Sequence, residues 1–524
     1  MPCLPPALLL LGLAPPALQE PALPPPVPTD ATAAAPATAA GEPRVLDVRL
    51  ADVVAWVEHR GTTLEQARFR TASATAGIRQ AQGDFDPVLF GDLTYTFSER
   101  PAGGFFSAFG NTTTKTLSAT QGLRQLLTTG GTMELRLQEQ HSRFSFLPLP
   151  QSDTTLTFQF DQPLLRGAWR LVATEALERA RLQAHQSDRD LQQARNDRIQ
   201  DALDAYWELA LARADLAVKE RSLELARELR EMSERRFRLG AIAEVEVIQA
   251  EADVTTRADA VLTAANRVRD AEDALKVLVF GLDEAEEWDF GLRPVDPVPE
   301  VAAPEVDWRT AFARARRLRP DLQKLRLAAE EAELAWRSAR RGLLPKLDFT
   351  AQGSYFGQEP QVGDSLSTLF QRDFPGYTLG LVFELPIGND TARGAERVAH
   401  WNHQLALRAL KDRERDLARE VRQAVREVAW LAERVAATRE AREVAERQLA
   451  AEQRRLEEGA STNFQVLQFQ TDLAAAESAE VQALMDYAKA VYRLNVVQGL
   501  EWDGSLPRRA EEAKPKPPPA ASDR

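Results

Sequence analysis

The sequence has a single cysteine, Cys3, so neither a disulfide framework nor a cysteine-based metal site can exist in the body of the chain. It has no uninterrupted apolar run of the ~18 residues that a membrane-spanning helix needs. It lacks a nucleotide-binding loop, a Gly-x-Ser-x-Gly motif and any Cys/His cluster. Its five histidines include His400 and His403, three apart on a helical stretch. No third ligand accompanies them, so they read as part of a solvated helix face rather than a metal site. Positive charge is in deficit: 65 Lys and Arg against 78 Asp and Glu, a net charge of −13. That argues against nucleic acid as a partner and suits passage or binding of cations. No enzyme chemistry, cofactor or metal site is expected.

Proline and internal glycine are also missing from Trp169 to Leu239. This stretch of about 70 residues makes a helix of roughly 105 Å. Asp390 to Glu457, about 67 residues, predicts a second, of roughly 100 Å. Each runs into a glycine, Gly240 or Gly459, and a shorter apolar-periodic helix follows, over 243–280 and 463–499.

The two stretches match. With Gly240 set on Gly459, Arg235 meets Arg454, Arg236 meets Arg455, Ala241 meets Ala460, Val247 meets Val466, Gln249 meets Gln468 and Asp253 meets Asp472. The match extends along the chain, Pro87 falling on Pro345, Pro163 on Pro386 and Gly281 on Gly499. An internal two-fold repeat is therefore expected. Its halves span 45–281 and 307–500, each running helix (Leu46 to Gln82 and Trp308 to Arg340), β-strands, long helix, glycine turn, short helix. The strands fall in 86–164 and 345–386, where the period changes to two, as in Thr154–Phe160 and Tyr377–Leu385. Thr128–Gly131 reads as a turn flanked by a further β-like pair. Residues 1–19 resemble a signal peptide and 20–44 a Pro/Ala-rich linker. The segment 282–306 is Pro/acid-rich and irregular, and 501–524 is expected to be disordered.

Helices of this length have no globular core to lie on and must line up side by side. One long helix equals two short ones end to end. The glycine turns then gather at one end of a bundle and the strands at the other. Short alternating strands rich in Phe and Tyr, if they face lipid, must close into a barrel to satisfy their edges. Several copies together would provide the closure.

In this order the motifs resemble the TolC family of outer-membrane efflux channels. The carriers are the repeat, Arg-Pro-Asp-Leu at 319–322, Gln-Pro-Leu-Leu-Arg-Gly at 162–167, the Ala-rich helix before Pro345 and both glycine turns. The resemblance covers about Leu46 to Leu500. It implies a mostly α, α + β membrane protein: a homotrimer with a periplasmic α-barrel and a short transmembrane β-barrel in outer-membrane lipid. Each protomer would give four strands, and the pair around Thr128–Gly131 departs from that count. The implied role is a passive exit duct of a tripartite efflux pump or type I secretion system, partnered by a periplasmic adaptor and an inner-membrane transporter. The resemblance assigns the adaptor-contacting tip to Leu239, Gly240, Ala241, Glu458, Gly459, Ala460 and Ser461. It places the pore constriction at Gln465 and Gln468, with Glu246 nearby. Glutamines stand where the family carries acids, and Leu456 where it carries an aromatic lock, so a neutral constriction is expected. The alternative is a periplasmic adaptor or coiled-coil spacer, which would show one helical hairpin and no strands at the far end.

Overall fold

The computed structural model describes residues 44–500 apart from 61, 102–110, 146–148, 281–287, 300, 302–306 and 372–373. The expected leader, the tail, Gly281, most of the Pro/Ala-rich segment and part of the irregular one lie outside the described residues.

The two long helices form as their composition dictates: α4 (Glu175–Arg238, 64 residues) and α9 (Asp390–Glu457, 68 residues). Each turns back into a partner, α5 (Glu244–Phe280) or α10 (Asn463–Val497). Shorter helices lie alongside them: α1 (Leu50–Arg60), α2 (Thr62–Gly83), α6 (Trp308–Leu318) and α7 (Pro320–Arg341). They pack as a wall four helices wide. At the glycine-turn end the order is α5-α4-α10-α9, and at the other end α2-α4-α7-α9. Buried apolar residues three and four apart, such as Ile199, Leu203, Tyr206 and Leu209, give α4 its packing stripe.

Three helical expectations need correction. Residues 46–48, expected to open the first helix, are not helical. They belong to strand β1 (Arg44–Val48), paired in parallel with β6 (Phe290–Pro294) inside the segment read as irregular. Its partner lies far away in sequence, so no local pattern announces it. The helix expected from Trp308 to Arg340 breaks at Arg319 (φ −58°, ψ 122°), because the residue before proline is driven extended. The helix expected from Trp169 starts with a four-residue turn, α3 (Arg170–Ala173), before Thr174 interrupts it.

Arg-Pro-Asp-Leu at that break is a structural joint. Pro320 occupies the first turn of α7, where its missing N–H costs nothing. Leu322 is fully buried against Ala311, Ala315, Leu417 and Val421. Asp321 accepts from Arg319 (2.6 Å) and Arg413 (2.7 Å), and Arg413 also donates to Glu420 (2.6 Å). The end of α10 closes against the same joint: Gly499 (φ 71°) would set a Cβ 2.9 Å from the Arg319 nitrogen.

The remaining strands form one antiparallel sheet of β2 (Val88–Pro101), β3 (Asn111–Leu126), β4 (Thr132–Phe144), β5 (Gln151–Pro163), β7 (Lys346–Glu359) and β8 (Pro375–Glu384), in that spatial order. The four-strand expectation is thus corrected to six, because the pair around Thr128–Gly131 is a full hairpin in the sheet. Pairings such as Leu123↔Leu135, Leu137↔Leu156, Leu156↔Tyr355 and Ala351↔Leu379 align one face. That face carries Leu89, Leu93, Tyr95, Phe97, Leu117, Phe158, Tyr377, Leu381 and Phe383, all exposed in the single chain. The opposite face carries Thr116, Thr120, Gln138, Gln159 and the Glu134–Arg136 pair. A short helix, α8 (Val362–Gln371), joins β7 to β8 and packs on β5 and β7. Its Ser365 hydroxyl lies 2.8 Å from that of Thr154, and only glycine at 357 leaves room for it, since a Cβ there would sit 2.1 Å from the Ser365 carbonyl oxygen.

Burial works against the charge of Asp321, but its two arginines outweigh this and hold the carboxyl at about 2, below the usual 3.8. A depressed carboxyl stabilises the fold above its unfolded pKa, and the contribution is lost as pH falls from about 4 through 2. Asp321→Asn is expected to lower stability by about 2 kcal/mol at pH 7, and to lose this difference from wild type below pH ~2. Thermal melts followed by far-UV circular dichroism across pH would show it.

Candidate functional site

Both long helices end in the same motif. After α4, Gly240 takes φ 75°, its N–H bonds the Phe237 carbonyl (2.8 Å) and the Ala241 N–H bonds the Arg236 carbonyl (2.9 Å). After α9, Gly459 takes φ 74°, with Gly459 N–H to Leu456 O (3.1 Å) and Ala460 N–H to Arg455 O (2.8 Å). These are Schellman caps, which need a left-handed residue at that one position. A Cβ at either glycine would meet nothing within 4 Å, so the requirement is conformational and not steric.

The structure brings the two turns side by side, and polar contacts between the hairpins hold them. Arg236 donates to the Leu456 carbonyl (3.0 Å). Asn463, buried at the start of α10, donates to Ser233 on α4 (2.7 Å). Arg257 on α5, only 8% exposed, reaches Asp253 (2.6 Å), Ser222 (2.6 Å) on α4 and Thr471 (3.3 Å) on α10. Around them Leu229, Leu449, Leu456, Val466 and Leu467 form a small core. Leu456, the residue at the lock position, is therefore a core side chain.

The residues assigned to the tip from sequence lie at the surface of the turns. Leu239 is 83% exposed, Ala241, Glu458 and Ala460 are exposed, and Ser461 is half-buried. Apolar Phe237, Val245 and Ile248 are exposed beside Leu239.

Gln465 and Gln468 are both exposed, one helical turn apart, and Glu246 is half-buried on α5. Neither glutamine is idle. Thr462 caps α10 by accepting from the Gln465 N–H (3.4 Å), and the Gln465 side chain accepts from Ser461 (2.9 Å). Gln468 donates to Asp472 (2.9 Å). Asp472 continues the same exposed face one turn on, and no Lys or Arg pairs with it among the described residues. Sequence reasoning matched it to Asp253 without noticing the difference: Asp253 is neutralised by Arg257, and Asp472 is not. The Arg257 clamp was also missed, although an Asp and Arg four apart at 253 and 257 was a readable signal.

His400 and His403 do not form a solvated face. Both rings pack on Trp336, with centroids 5.2 Å and 5.6 Å away.

Residues 312–500 match the family model described as outer membrane efflux protein. The match runs from within α6 to just past the end of α10, a little over a third of the chain, and is a similarity to that family. No curated protein matches the chain in sequence. The fold is shared with solved channels. The CmeC outer membrane channel of Campylobacter jejuni has 16% identity and a TM-score of 0.62, covering 86% of this chain and 85% of that one. VceC, an outer membrane protein of Vibrio cholerae, has 18% identity and a TM-score of 0.62, covering 86% and 96%. The open-state MtrE outer membrane channel of Neisseria gonorrhoeae has 17% identity and a TM-score of 0.59, covering 90% and 95%. Among the described residues no helix is apolar enough to cross a membrane.

Gly240→Ala and Gly459→Ala are each expected to cost about 1–2 kcal/mol, with Asn at the same positions recovering part of the loss. Thermal unfolding of the purified variants in detergent would measure it. Equal stability of the alanine variants would mean the caps are not formed.

Proposed function

We propose that this chain is a passive outer-membrane exit duct for an efflux pump or type I secretion system. The observation that carries the proposal is the sheet: one face apolar and exposed, the other polar, attached to the end of a helical wall. An exposed apolar sheet face of this size has no use in water and fits lipid. Copies of the chain, three in the family arrangement, would pair sheet edges into a barrel and helices into a periplasmic tunnel. The two halves, 45–281 and 307–500, would be equivalent repeats flanking an equatorial segment at 282–306. Cargo would move from an inner-membrane transporter through an adaptor docked on Leu239–Ala241 and Glu458–Ser461. The exposed apolar group around Leu239 supports that docking, since apolar surface at the tip of an otherwise charged hairpin suits a partner protein. The spacer alternative is disfavoured by the sheet.

The constriction would lie at Gln465 and Gln468, with Glu246 nearby. The amides are neutral, as their sequence implies. Asp472, one turn on and with no Lys or Arg partner among the described residues, supplies negative charge to the same face, so the passage keeps a cation preference.

Two measurements test the reading. The protein is expected in the outer-membrane fraction as a heat-modifiable trimer, and recovery as a water-soluble monomer would overturn it. In planar bilayers, Asp472→Asn is expected to lower the cation-to-anion permeability ratio about two- to five-fold. Gln465→Ala and Gln468→Ala should raise conductance with little change in that ratio. Insensitivity to all three would move the constriction elsewhere.

A further inference from the structure

Four of the six strands have a helix of their own. The chain passes from α2 into β2, from β5 into α3 and α4, from α7 into β7, and from β8 into α9. β3 and β4 have none. They turn back at Thr128–Gly131, on the helix side of the sheet, between the strands served by α2 and α4. We infer that this hairpin is a wall element that widens the barrel to six strands per chain, eighteen in a trimer, so that the membrane pore matches the bore of the helical tunnel. The inference rests on the exit-duct reading and adds to it the width of the pore.

Three observations support wall membership. The hairpin pairs on both sides, β3 with β2 and β4 with β5, through its whole length. Its residues alternate in phase with the other strands: Leu117, Leu123, Leu135 and Leu137 on the apolar face, Thr116, Thr120, Arg136 and Gln138 on the polar one. Its turn is locked to the β5 exit. Gln162 donates to the Thr129 carbonyl (3.2 Å) and accepts from the Thr129 hydroxyl (2.9 Å). Gly130 (φ 88°) would set a Cβ 2.5 Å from the Gly167 carbonyl oxygen, and Gly131 one 2.6 Å from Gln162 Oε1. A flap resting in the lumen would show none of this.

Widths point the same way. Strands about 4.8 Å apart and tilted ~40° each take about 6.3 Å of perimeter, so six take about 38 Å and four about 25 Å. Four helices at interaxial spacings of about 8–10 Å take about 32–40 Å. Six strands therefore continue the four-helix wall without narrowing, and four would narrow it. The match is made within one chain and does not depend on the number of copies. Closure needs β2 and β8, the two unpaired edges, to meet the edges of neighbouring copies, because lipid offers no hydrogen-bond partner. In a trimer the backbone cylinder is then about 35 Å across, against about 24 Å for twelve strands.

Electron cryomicroscopy of the full chain in lipid nanodiscs tests this directly. Eighteen strands in the barrel are expected. A trimer with twelve wall strands and β3–β4 outside the wall overturns this inference and leaves the exit duct standing. Failure to form any barrel overturns both. Deletion of 111–150 gives an independent test, since β2 and β5 run antiparallel and stay joined at the same end. Polymer exclusion from the extracellular side should give the deletion variant a narrower cut-off, with the accessible cross-section reduced about two-fold. An unchanged cut-off in a folded trimer overturns the inference. Should the variant not assemble, single cysteines in a Cys3→Ser background decide: Gln138→Cys is expected to react with a charged thiol reagent and Leu135→Cys to resist it, and the reverse pattern overturns the inference.

Discussion

Helices of 64 and 68 residues cannot bury their apolar stripes in a globule, and every other feature follows from packing them side by side. α4 shows how. It has neighbours along its whole length: α5 and α10 toward the turns, α2 and α7 toward the sheet. Its aromatic centre, Tyr206 and Trp207, is fully buried where those neighbours change over. There Tyr206 donates to Asp296 (2.9 Å), and Asp296 accepts from the Leu50 N–H (2.6 Å). One side chain thus ties β1, the start of α1 and the segment after β6 to the mid-point of the long helix. The parallel β1–β6 pair serves the same joint from outside. On the α9 side the Arg319–Asp321–Arg413 cluster has the equivalent place, where α10 gives way to α7.

The long helices and their ends were legible in the sequence because their signals are local. An absence of proline and glycine marks a helix, and a glycine before a new apolar period marks its cap, so Gly240 and Gly459 could be placed to the residue. Local signals also gave the strands. What could not be read was pairing over distance. Arg44–Val48 alternates too briefly to compete with the helical pattern that follows. The hairpin around Thr128–Gly131 was visible as a turn, but its place in the sheet depends on Gln162 and Gly167 beyond it. α8 is hidden in a Gly/Ser/Phe stretch, and its position is set by Thr154 and Gly357 on two other strands.

At the turn end, matching residues had the same caps and different electrostatics. Asp253 and Asp472 align in sequence, yet one is held by Arg257 and the other faces outward beside Gln468. Compared position against position, the two aspartates look alike. The difference lies four residues further on, where the first half has Arg257 and the second Ala476. The charge on the exposed face of α10 therefore follows from a residue that the second half lacks.

The same arginine limits how the turn end can move. Arg257 spans three helices at once, and Asn463–Ser233 and Arg236–Leu456 cross the same boundary. Each is a buried or half-buried polar contact whose loss leaves a desolvated group unpaired, which costs about 1–3 kcal/mol. Parting the α4–α5 hairpin from the α9–α10 hairpin would break all three together and expose the core around Leu456. Moving the two hairpins as one body would break none. Within a chain the turn end is thus built to behave as a rigid unit. In the proposed duct, any change in the width of the passage would fall to the boundaries between copies, where α5 and α9 present the free edges of the helical wall.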